Sequence, residues 1–127
     1  MVDIEKSIRD YLVGTTVYDL TAARVHANTS LPAGYTPADG PALLFAVRGG
    51  GQDYTSQVYA ASVQFQAYAA TPAECRALDR RLYEQLNDVK AGAILFARLE
   101  QLGQLLTEPQ TDWPFVLSYY RIMVRND

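Results

Sequence analysis

The 127-residue sequence predicts a single α+β domain spanning residues 1–127. Two stretches, 42–48 and 59–68, alternate apolar with wetter side chains at the two-residue period of a strand. Residues 72–89 repeat Cys75, Leu78, Leu82, Leu86 and Val89 as a narrow apolar stripe of helical spacing behind a strong capping signal. Two further strand-like runs, AILFARLEQL from Ala93 and FVLSYYRIMVR over 115–125, follow that helix. A composition that is 49% hydrophobic and 20% charged is that of a folded chain, and this length supports one core.

The elements take their places in order. Asp3 is positioned to cap a first helix whose Ile4, Ile8, Tyr11 and Leu12 share a face, and Gly14 stops it. A short strand is expected over 23–27. NTSLPAGYTPADGP, residues 28–41, holds three prolines and two glycines, which deny it helix and ladder alike. A connection of that length reads equally as a working loop or a tolerated surface one. In 42–48, Leu43, Phe45 and Val47 face one way and Leu44, Ala46 and Arg48 the other. Gly49, Gly50 and Gly51 invite comparison with a phosphate loop. They lead into a strand rather than a helix and carry no following Lys, so the expectation is a flexible hairpin loop over 49–55. Beyond it Tyr59, Ala61, Val63, Phe65 and Ala67 point to one face, and Ser62, Gln64, Gln66 and Tyr68 to the other. Thr71 then caps the main helix, with Pro72 in its first turn and Glu74 three residues on. Arg76, Asp79, Arg80, Glu84 and Asp88 fall opposite its apolar stripe. TEPQTDWP, carrying the one tryptophan, Trp113, joins the last two strands.

Little in this chain asks for chemistry. The formal charge of −3 gives no basic footprint for the outside of a nucleic acid. No apolar run approaches the roughly 18 residues of a membrane span, and the N-terminus lacks the apolar core of a signal peptide. Cys75 is the one cysteine and reads as a buried small hydrophobe; with a single His, it leaves too few ligands for structural zinc. His26 has no serine elbow or ordered acid beside it in sequence. The expectation is no catalytic residue, no metal and no cofactor. Nine tyrosines are the unusual entry in the composition, and they suit half-exposed sheet faces and interfaces equally.

The succession IEKSIRDYL, ARVHAN, LPAGYTPADGPALLF, a glycine-bearing hairpin, SVQFQAYAATPAECRALDRRLYEQL and a closing SYYRIMVR resembles the small tail-terminator, or tail-completion, proteins of long-tailed bacteriophages. The similarity covers nearly the whole chain and is densest where strand runs into helix near Thr71. The 28–41 loop departs from it by its length, with Tyr35 and Asp39 inside. The resemblance implies a twisted, mainly antiparallel sheet of about four to five strands with two helices packed on one face. It implies no enzyme, but a structural protein forming a homo-oligomer, a hexameric ring. Such a ring caps the tail tube protein, stops its polymerisation, and offers a docking surface to the head-side connector. DNA would pass through its lumen without specific binding, with no membrane involved, in a virion assembled in the host cytoplasm. Candidate interface residues are Tyr35, Arg48, Gln52, Asp53, Tyr54, Trp113 and Tyr119. Another phage neck ring (a head-completion or stopper component) is the nearest alternative, and a small ligand-binding or enzymatic domain the more distant one.

Overall fold

The computed structural model describes residues 4–27, 31–52, 58–91 and 94–125, at 49–52 and 91 by their backbone. Helix α1, Ile4–Val13, buries Ile4, Ile8 and Leu12; Asp3, its expected cap, lies outside the described residues. A short α2, Thr16–Leu20, follows at once, seated by the Thr15 hydroxyl donating to the Leu12 carbonyl at 2.7 Å. The chain reverses through Ala22 and Ala23, both at positive φ (49° and 69°), into β1, Val25–His26. A 3₁₀ turn over Pro37–Asp39 precedes β2, Ala42–Gln52, and β3, Val58–Tyr68. Then come α3, Pro72–Leu86, β4, Val89–Ala91, β5, Ile94–Thr107, and β6, Pro114–Arg125.

The six strands form one sheet in the order β1-β2-β3-β6-β5-β4. β1 runs parallel to β2 and every other neighbouring pair is antiparallel. This corrects the expected antiparallel sheet of four to five strands with two helices. The sheet is mixed, six-stranded and curved as a half-barrel, and among the described residues strand outweighs helix and there are three α-helices. The reason lies in the short pieces. The short strand expected over 23–27 is β1, at Val25–His26, and it reaches β2 through a crossover connection, which makes the pair parallel; β4 has three residues, too few to show any period.

Two boundaries also move. The glycines are not loop: β2 continues through Gln52, with Gly49, Gly50 and Gly51 opposite Ser62, Ala61 and Ala60 after a register shift between Val47 and Gly49. The extra residue in that shift is Arg48, as in a β-bulge. The main helix ends at Leu86 rather than Val89, because Asn87 is extended and Asp88 turns to φ 59°. The start of α3 is as the sequence indicates, with Thr71 accepting from the Glu74 N–H at 3.2 Å.

The core lies between the helices and one face of the sheet. It gathers Ile8 and Leu12 of α1, Leu78, Leu82 and Leu86 of α3, and the inward side chains of β2, β3 and β6. Phe65 is its centre, 5.8 Å from the Phe45 ring and 5.4 Å from Tyr120, which meets it edge-on at 86°. Cys75 is buried here, its thiol donating to the Pro114 carbonyl at 3.3 Å and pushed up in pKa by burial. Tyr11 of α1 donates to the Gln85 carbonyl in the last turn of α3, tying the two helices together. No described helix is long and apolar enough to cross a membrane.

One polar group intrudes on this packing. Asp79 of α3 lies against Gly103 of β5 so closely that a Cβ there would come 2.5 Å from Asp79 Oδ2 and 2.7 Å from Val116 Cγ1. Asp79 Oδ1 and the neighbouring Ser118 Oγ are buried without hydrogen-bond partners. Burial pushes the Asp79 carboxyl up in pKa; the nearby Ser118 hydroxyl opposes this in part without meeting hydrogen-bond geometry.

Phe65→Ala should lower stability by about 3–5 kcal/mol in denaturant titration, the cost of an aromatic-sized cavity in a packed core. Asp79 holds its proton more tightly folded than unfolded. Its contribution is therefore fully present below the ordinary carboxylate pKa, about pH 4, and is lost as pH rises through the raised value. Asp79→Asn should accordingly raise the melting temperature at neutral pH, with the gain shrinking in acid. An equal gain at both would remove the carboxylate charge as its cause.

Candidate functional site: an aromatic pocket on the open face of the sheet

The sheet face turned away from the helices has its own apolar cluster. Leu44, Tyr68 and Phe115 are buried there, with Leu31, Leu106, Trp113 and Leu117 packed against them. Strand parity puts them together. Tyr68 follows Ser62, Gln64 and Gln66 on the outward side of β3, and the ladder sets it opposite Phe115 of β6. The two rings stack at 5.0 Å and 29°.

Two connections convert this patch into a cavity of about 500 Å³. The first is the β5–β6 hairpin. The Glu108 N–H donates to the Trp113 carbonyl and the Asp112 N–H to the Glu108 carbonyl, both at 2.9 Å, with Asp112 at φ 60°. This turn stands Glu108 and Trp113 side by side at the rim. The second is the segment before β2. Tyr35 folds back from it, and its ring meets Trp113 edge-on at 6.0 Å and 89°. The Tyr35 hydroxyl donates to the Gly40 carbonyl at 2.6 Å. Gly40 itself sits at φ 121°, ψ 176°, a conformation essentially reserved for glycine, and a Cβ there would run into the Arg24 guanidinium. Arg24 in turn donates from Nε to the Pro41 carbonyl at 3.0 Å.

Both phenols stay protonated. Tyr35 is pushed up to about 12, first by burial, with Arg24 opposing and Asp39 reinforcing. Tyr68 is pushed up to about 12, again first by burial and then by the charge of the nearby Glu108. Gln66 adds an amide to the lining.

The seven candidate interface residues separate into groups. Tyr35 and Trp113 meet at this pocket. Arg48 and Tyr119 meet elsewhere on the same face, the guanidinium carbon 4.9 Å from the ring centroid. The bulged Arg48 begins a row across the sheet: Ser62 is opposite Arg121, and Arg121 is opposite Arg98. Gln52 ends β2 with its backbone opposite Tyr59. Asp53 and Tyr54 lie outside the described residues. Tyr68, Phe115 and Glu108 were not among the candidates. Strand parity already put Tyr68 on the outward side, whereas nothing local to the hairpin brings Glu108 to it. His26 is half-buried on β1, lowered in pKa by burial and by Arg9 and Arg24, so a general base there has cations for neighbours. Among the described residues no cluster of three or more His, Cys, Asp or Glu side chains could hold a metal ion.

Gly40→Ala should lower stability by about 1–3 kcal/mol, the cost of forcing a side chain into that backbone region. It should also shift Trp113 emission, because Tyr35 loses its anchor. A melting curve paired with the emission spectrum checks both, and unchanged emission would uncouple Gly40 from the pocket.

No family model matches the chain. No curated protein matches it by sequence. Among solved structures, a chain of the "virion of native gene transfer agent (GTA) particle" is similar to it at a TM-score of 0.63 and 15% identity. The match covers 93% of this chain and 91% of that one. The likeness is one of fold, and it extends over nearly the full length of both chains.

Proposed function

We propose that this chain is a structural component of a phage-like virion and, within that class, a tail terminator. In this reading it is a ring protein that caps the tail tube, stops its growth and receives the head-side connector. The observation that carries the proposal is the full-length fold likeness to a chain of a gene transfer agent virion. The order of elements resembling tail terminators supports the finer assignment. No reaction is assigned to the chain.

The sheet has what a ring subunit needs, two different edges left open. β1 pairs β2 only at Leu43 and Leu44. β4 pairs β5 at Ile94 and Ala97, and Asn87 Oδ1 accepts from the Leu99 N–H at 2.9 Å. Beyond those points no described strand covers the outer edge of β2 or of β5. Glu100 to Gln104 of β5 are exposed, with Leu102 at 76%, and Tyr83 of α3 lies exposed across a groove of about 190 Å³. Unlike edges that pair head to tail build a closed ring when the rotation permits. The arginine row on the open face belongs, in this reading, on a protein contact rather than along the DNA path, where phosphates would hold to it.

In cells that make the particle, removing this chain should leave overlong or ragged tails apart from filled heads in negative-stain micrographs. Normal tails beside unjoined heads would move it to another neck ring, and normal virions would overturn the structural reading. Leu102→Lys, supplied in place of the native chain, should fail to restore tail length. Its melting should stay within about 0.5 kcal/mol of native, as for exposed substitutions generally.

A further inference from the structure

The aromatic pocket has a composition that selects its occupant. Tyr35 and Trp113, set at 89°, make a corner, and the stacked Tyr68 and Phe115 extend its aromatic lining. The charged residue among the lining side chains is Glu108, an anion. Its carboxylate lies close enough for its charge to reach the Tyr68 hydroxyl, and its oxygens have lone pairs to offer an incoming donor. Arg24, whose charge reaches Tyr35, is turned to the Pro41 carbonyl and does not line the cavity.

We propose that this pocket binds the guanidinium of an arginine side chain presented by a neighbouring protein. Aromatic faces attract a cation through their quadrupole, and the attraction grows as water is excluded. A planar guanidinium also stacks on rings and forks onto a carboxylate, which a compact ammonium cannot do. The same sheet face already holds one such pair within the chain, Arg48 over Tyr119. A cavity of about 500 Å³ admits a side chain of that length with its stem against Leu31 and Pro32. The inference rests on the pocket alone and is independent of the tail reading.

Trp113 is the single tryptophan and half-buried at the rim, so its fluorescence reports occupancy directly. The purified chain is titrated with N-acetyl-argininamide and, separately, with the neutral isostere N-acetyl-citrullinamide. The arginine probe should give a saturable change in emission, and citrulline should bind on the order of tenfold more weakly, the difference a charge-assisted hydrogen bond makes. Glu108→Gln removes the charge and should erase that preference with the melting temperature unchanged. Equal responses to the two probes, a change that never saturates, or a preference that survives Glu108→Gln would each overturn the proposal. The comparison of probes on the native chain decides the matter even if the variant folds poorly.

Discussion

The ladder between β3 and β6 is the constraint on which the other features depend. From Val58 opposite Arg125 to Tyr68 opposite Phe115 it runs without a register shift. Because side chains alternate, that single register assigns every residue of both strands to a face at once, and a slip of one would exchange the faces. It brings Phe65 under Tyr120 for the core, stacks Tyr68 on Phe115 for the pocket, and aligns Ser62 with Arg121 in the polar row. All the register shifts among the described residues fall outside this pair, in β2, β4 and β5. The central pair is regular, and the irregularities lie in the strands toward the two edges.

Both faces of that ladder are used, which accounts for the tyrosine-rich composition. Tyr120 is buried beneath the helices, while Tyr68, Tyr35 and Tyr119 serve the opposite face, each with its polar tip or ring engaged. An ordinary two-layer domain would leave that second face to solvent and polar residues. Here the loop before β2 and the hairpin after β5 build a second, smaller apolar cluster on it. The long loop before β2 is thus the one that supplies Tyr35 to the pocket. Its prolines and glycines have a local use: Gly40 accepts the Tyr35 hydroxyl from a backbone shape no other residue holds cheaply.

What was legible in the sequence was whatever is encoded within one stretch of chain. The Thr71 cap, the Cys75, Leu78, Leu82 and Leu86 stripe of α3 and the alternation of β3 are local and strong, and they hold, while Val89 leaves the helix for β4 and Asp79, expected on the outer face, is drawn into the packing. β1 lies inside the short strand expected over 23–27, although its parallel pairing with β2 was not legible; β4 was missed because a neighbouring strand completes it and it is too short to carry a period. Three glycines read as a turn, yet they lie in a strand because β3 offers them Ser62, Ala61 and Ala60 across the ladder. The pocket was half visible. Tyr35 and Trp113 stood out as aromatics in loops, but their meeting, and the arrival of Glu108 beside Tyr68, join segments far apart in the chain.

The shifts in β5 have a further consequence. One falls between Ile94 and Phe96, beside β4, and two fall between Leu99 and Gln101 and between Gln101 and Gln104, where no described strand covers the outer side. Each interrupts the even spacing of N–H and C=O groups that a generic strand would need in order to dock. A newly made subunit with a smooth edge would be a template for fibril growth in a crowded cell. An edge interrupted in this way is a poor template for stacking by a generic strand and fits best a surface with the same irregular profile.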